Sequence, residues 1–372
     1  VKYYIIAGEA SGDLHGSNLM RAIKRYDPDP VFRFFGGDRM QEQGGTMVRH
    51  YREMAFMGVF EVVAHLGTVR SNYTFARQDI KSFSPDCFIL IDFAGFNLRI
   101  ARIAGESGIP VFYYISPKVW AWNRSRVSVI RKRVNRMFVI LPFEVDFYRQ
   151  YDYMVEYLGN PLVDEIEKFR NRTDTSRDFF SRNHLSGKPV IALLPGSRRQ
   201  EITYCLPEML SVIPVFPDYQ FVIAGAPGLE DNYYRQFICG HEVSVVFNQT
   251  YELVSNACAA VVTSGTATLE TALLGTPEVV IYKMNPATYH IGKHFVKVKF
   301  FSLVNLIMNR QVVKELLQFN LAEDIKDELG RILTDTSYRE RMLSDYKELT
   351  GKMGNAGVSD RVAQKIYQWL KG

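Results

Sequence analysis

Two stretches in the second half of the chain combine residue types suited to holding a diphosphate. Pro195-Gly196-Ser197-Arg198-Arg199-Gln200-Glu201 sets a glycine and a serine, whose amides can approach a ligand, beside two arginines. Guanidinium groups grip phosphate oxygens in a bidentate fork and stay charged. The stretch is no Walker loop, because GxxxxGK[ST] occurs nowhere. A solvated charged turn is the competing account. Position directly after an apolar run favours phosphate. Thr263-Ser264-Gly265-Thr266-Ala267-Thr268-Leu269-Glu270 is small and hydroxylic. If it opens a helix, the amides and dipole of the first turn, at Ser264, Gly265, Thr266 and Ala267, would meet the same diphosphate. Glu270, one turn on, can accept hydrogens from a ribose or serve as a capping-box partner for the Thr266 or Ala267 amides. No DxD-type carboxylate pair flanks either stretch. Charge neutralisation is therefore expected from arginine and amides, with no metal and no cofactor.

The first half carries groups suited to proton transfer. Gly8-Glu9-Ala10-Ser11-Gly12-Asp13 follows an apolar run and opens a helix. Glu9, Ser11, Gly12 and Asp13 are candidates for an acceptor loop, and the alternative is a tight turn with Asp13 as helix cap. The absence of GxGxxG disfavours a dehydrogenase. Asp92 ends another apolar run, followed by Phe96-Asn97, and Ser116-Pro117-Lys118-Val119-Trp120-Ala121-Trp122 ends a third. A carboxylate at a strand end is a candidate general base, with Asn97, Ser116 and Trp120 beside it. Tryptophan pairs also serve as plain core packing. His290 and His294 are four apart, but Ile291 breaks HExxH, so no metal site is expected.

The elements that must position these groups show in the alternation of short apolar runs with amphipathic stretches. Tyr3 to Ala7, Cys87 to Ile91, Val111 to Ile115 and Met137 to Leu141 predict four buried strands. Leu19, Met20 and Ile23 mark one face of the helix after the first. From about Glu165 to Lys188 the chain is charged and lacks a strand, predicting a helix and a linker. Strands then resume at Val190 to Leu194, Phe221 to Gly225, Val243 to Phe247, Ala259 to Thr263 and Val279 to Tyr282, before helical patterning from Leu321 to Leu370. Runs this apolar predict parallel sheets covered on both faces. The expected fold class is α/β: two Rossmann-like, doubly wound lobes facing a cleft at the carboxyl ends of their strands.

Composition agrees with that frame. The 372 residues suggest two domains, and 47% hydrophobic with 23% charged residues is ordinary for a well-cored protein. A net charge of +5 fits an anionic ligand or lipid surface, and no nucleic-acid partner is expected. The four cysteines form no CxxC pair, which points to a reducing compartment. The opening apolar run meets Glu9 and Asp13 at once, as a strand does and a secretory segment does not. No apolar window is long enough to span a membrane.

Taken in order, GEASGD at 8–13, IDFAGFN at 91–97, SPKVWAW at 116–122, LPFE at 141–144, GNPLVD at 159–164, LPGSRRQE at 194–201, TSGTATLE at 263–270 and SLVNLIMNRQVVKELLQ at 302–318 resemble the lipid-A-disaccharide synthase family, inverting glycosyltransferases of GT-B architecture. The ordered set covers nearly the whole chain. Gly95 carries no carboxylate, which leaves Asp92 as the base candidate of its loop. Asn160 and Val304 stand where His and Pro are frequent in the family.

The resemblance implies transfer of a sugar from UDP-2,3-diacylglucosamine to 2,3-diacylglucosamine 1-phosphate, with β-1,6 linkage and inversion. It implies Asp92 as base, Arg198 as stabiliser of the leaving UDP, and Asn305, Glu315 and Gln318 as further donor-binding residues; the GxxxN and ELLQ stretches that hold them also suit plain helix faces. It implies an acceptor and membrane-facing lobe over 1–165, a donor lobe over 186–345, and a segment 346–372 returning to the first lobe or to a partner subunit in a homodimer. Acylated substrates imply a peripheral protein on the cytosolic face of the inner membrane. Met54, Met57, Phe60, Phe300 and Phe301 would supply apolar contacts, aided by the basic run from Arg124 to Arg136. A 2-epimerase acting on UDP-N-acetylglucosamine, another UDP-sugar enzyme with a soluble acceptor, and a binding protein of the same fold are the alternatives.

Overall fold

A computed structural model describes residues 1–54, 66–172, 176–286, 289 and 299–372. The chain divides into two compact units, Val1–Asp164 with Gly354–Gly372, and Glu165–Met353.

In the first unit the strands are β1 (Lys2–Ala7), β2 (Val31–Gly36), β3 (Thr46–His50), β4 (Cys87–Ile91), β5 (Val111–Tyr114), β6 (Arg136–Val139) and β7 (Glu156–Tyr157). They pair in parallel in the order β3-β2-β1-β4-β5-β6-β7. β4 and β5 are buried at every position. Such strands stay out of water only if helices cover both faces, as βαβ crossovers do. Tyr3, Ile5 and Ala7 pack with Leu19, Met20 and Ile23 of helix Ala10–Ile23, the face expected from the spacing.

Val358, Val362 and Ile366 of the last helix, Val358–Lys371, join that same cluster, so the end of the chain completes the core begun by its start. The Asp164 carboxylate accepts from the amides of Gly357, Val358 and Ser359 at 2.7, 3.2 and 3.3 Å. These are donors that a helix start leaves unsatisfied. Arg361 donates to the carbonyls of Leu158, Asn355 and Ala356.

The second unit holds β8 (Val190–Leu194), β9 (Gln220–Gly225), β10 (Val243–Phe247), β11 (Ala257–Thr263), β12 (Glu278–Tyr282) and β13 (Lys314–Leu317). The order is β10-β9-β8-β11-β12-β13, again all parallel. Val190, Ala192, Leu194, Val222, Ala260 and Val262 form one cluster with Phe179 of helix Ser176–Arg182.

Among the described residues four strands escape the sequence pattern. β2 is interrupted by Arg33, which folds in because Asp79 takes its guanidinium. β3 and β7 are partly exposed edges with little apolar signal. β13 occupies the ELLQ stretch that suited a helix face; pairing with β12 in register Val279↔Lys314 to Tyr282↔Leu317 decides it as strand. Among the described residues no helix is long and apolar enough to cross a membrane.

Candidate active site

In open parallel sheets, ligands collect at the carboxyl ends of strands where the winding reverses. In the first unit the reversal lies between β1 and β4, and the loops there are 8–13 and 92–97. Asp92 and Phe93 have left-handed φ values of 42° and 45°, a region costly for residues with a side chain. Hydrogen bonds hold them there. The Asp92 amide donates to the carbonyls of Tyr114 and Ile115 at 3.3 and 3.2 Å. Its carbonyl accepts from Asn97 Nδ2 at 2.8 Å and from the Tyr113 hydroxyl. Asn97 is fully buried and also donates to the Ile91 carbonyl, so its amide supports the loop backbone. The Phe93 ring lies against Gly8, where a Cβ would sit 2.2 Å from the ring. Glycine at that position answers to a neighbouring ring. The Asp92 residue is partly buried at this edge.

The other first-unit candidates divide. Ser11 is exposed and Glu9 partly buried, whereas Gly12 packs on Ala7. Asp13 does not cap its own helix. Its carboxylate accepts from the amides of Gly37, Arg39 and Met40 at 2.7, 3.1 and 3.0 Å, capping the short helix Asp38–Gln41. Ser116 and Trp120 are buried, and both donate to Glu144, Trp120 through Nε1 at 3.2 Å. Trp120 is thus a core residue with a polar handle. Glu144 also accepts from the Ile140 and Leu141 amides. Burial pushes its carboxyl up to about 7 against the pull of those bonds.

In the second unit the winding reverses between β8 and β11, whose loops are 195–201 and 264–270. Gly196 has φ 107°, and a Cβ there would meet Glu201 Oε2 at 2.5 Å. Glu201 accepts from the Ser197 and Arg198 amides at 3.0 and 3.3 Å, folding back over the start of helix Arg199–Ser211. Those amides already hold the protein's own carboxylate. The two arginines differ. Arg199 lies 4.6 Å over the Tyr233 ring, whose hydroxyl donates to the Arg199 carbonyl. The Arg198 side chain is 56% exposed, its Nη1 3.6 Å from Glu201, a surface pairing weak enough to exchange for a phosphate.

Helix Thr266–Leu274 starts from Gly265 with no side-chain cap and ends on Gly275 in the left-handed region. The Ser264 amide, expected to meet the diphosphate, is spent on the Ile281 carbonyl at 2.8 Å because the β11–β12 pairing runs on to it, whereas the Thr266 and Ala267 amides have no intrahelical acceptors. The Ser264 hydroxyl donates to the Phe301 carbonyl at 2.9 Å. Glu270 caps nothing. It is largely buried and accepts from the Tyr251 hydroxyl at 2.8 Å; burial raises its pKa, opposed by that bond.

Asn305, Glu315 and Gln318 are committed to backbone. Asn305 is fully buried: Oδ1 accepts from the Val312 and Val313 amides, and Nδ2 donates to the Val313 carbonyl and Glu315. Glu315 further accepts from the Phe301 and Ser302 amides and the Ser302 hydroxyl. Gln318 pairs with both backbone groups of Met284. Together they join the end of β12, the start of helix Leu303–Met308 and β13.

The apolar candidates also part. Met54 is buried at 5% exposure, which removes it from any surface contact, because it is spent on the unit's interior. Met57, Phe60, His290 and His294 lie outside the described residues. Phe301 is 40% exposed, and Lys299 sits over the Phe300 ring at 5.0 Å. Several cations of the basic run serve the unit itself: Arg131 donates to the Tyr151 carbonyl and Arg136 pairs with Glu156. Tyr113, Tyr251 and Glu144 escaped the sequence reading. Glu144 had one signal, a glutamate just past the proline that stops a buried strand.

The profile of a family described as lipid-A-disaccharide synthetase matches residues 3–365. The lipid-A-disaccharide synthase of Geobacter sulfurreducens is 39% identical over 373 residues, covering 98% of this chain and 96% of that protein. That of Coxiella burnetii is 33% identical over 371 residues, covering 98% of each. Among solved structures, a UDP-GlcNAc 2-epimerase from Neisseria meningitidis bound to UDP-GlcNAc superposes with a TM-score of 0.67 at 13% identity, covering 99% of this chain and 100% of that one. At that identity the likeness is one of fold, the two-lobed GT-B fold. With full-length relatives above 30% identity carrying one name, the chain belongs to the lipid-A-disaccharide synthase family and is a glycosyltransferase of lipid A disaccharide synthesis.

Proposed function

We propose that the enzyme transfers 2,3-diacylglucosamine from its UDP donor to the 6-hydroxyl of 2,3-diacylglucosamine 1-phosphate, giving the β-1,6 disaccharide with inversion, and UDP. One observation carries this: Asp92 stands on a strained loop at the winding reversal of one sheet, and Arg198 with the uncapped start of helix Thr266–Leu274 at the reversal of the other. Asp92 takes the proton from the 6-hydroxyl as that oxygen attacks the anomeric carbon. The bond from that carbon to the diphosphate breaks, and its electron pair leaves with UDP. A hydroxyl is too weak an acid to ionise first, so proton transfer accompanies bond formation; a positioned base contributes roughly 10²–10⁴-fold.

Arg198 and the amides of Thr266 and Ala267 stabilise the departing diphosphate without a metal ion. Glu270, oriented by Tyr251, accepts from the ribose hydroxyls. Ser264, Asn305, Glu315 and Gln318 act by holding the donor loops. Acylated substrates place the enzyme at the cytosolic face of the inner membrane, with Phe300 and Phe301 beside Lys299 as one point of contact; each surface cation adds about 1 kcal/mol on anionic lipid.

The test is a coupled assay with both acylated substrates in mixed micelles containing EDTA. UDP release together with a tetra-acyl disaccharide phosphate supports the reaction and its metal independence. UDP release without acceptor would point to hydrolysis instead. Asp92→Asn should lower kcat by roughly 10²–10⁴-fold with UDP affinity unchanged; turnover near the parental rate would move the base elsewhere.

A further inference from the structure

Glu144 is a buried carboxyl that the transfer step leaves unused. Glu144 is 1% exposed and lies at the start of helix Phe143–Arg149, just after β6. Its oxygens gather four hydrogen bonds from two loops. Oε1 accepts from the Ser116 hydroxyl and from Trp120 Nε1, and Oε2 accepts from the Ile140 and Leu141 amides at 3.3 and 3.0 Å. The Trp120 ring also meets Phe143 edge-on at 5.0 Å. All four partners donate here, and a carboxylate can accept from all four, whereas an amide side chain offers one accepting oxygen and adds a donor.

The loop held in this way is the one that supports Asp92. Ile115 directly precedes Ser116 and has φ 65°. Its carbonyl accepts from the Asp92 amide at 3.2 Å. Tyr113, two residues earlier on the same stretch, donates to the Asp92 carbonyl. A path of bonded groups therefore runs from Glu144 through Ser116 and Ile115 to the backbone of Asp92, wholly inside the first unit.

We propose that Glu144 is a positioning residue for the transfer reaction: it locks the Ile115–Trp120 loop, which keeps Asp92 in its left-handed turn. This inference rests on Asp92 being the base. Glu144 touches neither substrate. It acts because a carboxylate misplaced by even about 1 Å loses much of its rate advantage, on the order of 10²-fold.

The experiment compares full-length Glu144→Gln, Ser116→Ala and Trp120→Phe with Asp92→Asn. Glu144→Gln keeps the shape but turns one acceptor into a donor. The other two remove one donor each and keep the test alive if Glu144→Gln does not fold. Steady-state kinetics in micelles and hydrogen exchange of peptides spanning residues 92–97 are the readouts. Glu144→Gln should lower kcat about 10- to 100-fold with the donor KM unchanged, and exchange over 92–97 should quicken. The milder variants should show smaller shifts in the same direction, and the Glu144→Gln/Ser116→Ala pair should be no worse than the worse single change. Parental kcat in the folded variants overturns the proposal, as does a lower kcat without faster exchange over 92–97. If Asp92→Asn keeps its turnover, the base assignment fails whatever Glu144 does. If Asp92→Asn is inactive and Glu144→Gln is parental, only the positioning role fails.

Discussion

Asn305→Ala separates scaffolding from donor contact. The side chain is fully buried, and all its polar capacity is spent inside the second unit. Truncation leaves the Val312 and Val313 amides and the Val313 carbonyl without their side-chain partner and removes one of the four bonds to Glu315. Each buried group left unsatisfied costs about 1–3 kcal/mol, and water entering the vacated space recovers part of that, so the net loss is about 3 kcal/mol. In a unit of about 190 residues, that lowers its Tm by roughly 6–12 °C. Calorimetry measures the loss, and titration with UDP measures donor affinity below the transition. Asn305→Asp sharpens the comparison, since it places a second carboxylate at the position 2.8 Å from Glu315 now held by an N–H donor; it should destabilise at least as much as alanine. An unchanged Tm together with a tenfold or greater loss of UDP affinity would refute the scaffolding role and put the Asn305 amide on the donor.

Two further outcomes follow from local geometry. Gly196→Ala must strain a left-handed residue and crowd Glu201; we expect a loss of about 1–3 kcal/mol in denaturant titration and a raised donor KM, and parental values for both would show that this loop does not need its turn. Glu278 is fully buried, and desolvation raises its pKa well above the ordinary value against the opposing pull of the Tyr346 hydroxyl. The unfolded chain releases this proton near pH 4.3 and the folded chain holds it, so the contribution to stability is intact at lower pH. It is lost at about 1.4 kcal/mol per pH unit as pH rises toward the folded pKa. Glu278→Gln has no proton to lose, and its stability relative to the parent should rise between pH 5 and pH 8 in thermal melts; a pH-independent difference would mean that the carboxyl ionises without penalty.

Much of the fold was legible from the apolar runs. Cys87–Ile91, Val190–Leu194 and Val243–Phe247 begin and end where the sequence pattern placed them. β7 has two residues, and β13 opens on Lys314 and Glu315, so neither shows an apolar run. Pairing with a neighbour made them strands, and pairing is a long-range property. The site loops were visible because glycine, serine, arginine and aspartate gather at the ends of apolar runs, where open parallel sheets bind ligands.

Residue types, their order and their place after apolar runs were therefore determined by the sequence alone, and these sufficed for fold class and family. The work done by each polar side chain was decided only by tertiary structure. Asp13, Asn305 and Glu315 carry chemistry-bearing groups, yet backbone amides distant in the chain claim them. Arg198 and Arg199 are identical neighbours until Tyr233 takes one of them. Tyr251 and Glu144 acquire roles only once folding buries Glu270 and gathers four donors from separate loops. The physical reason is that a buried polar group must find a partner, and which partner lies within 3 Å depends on the packing of segments far apart in sequence.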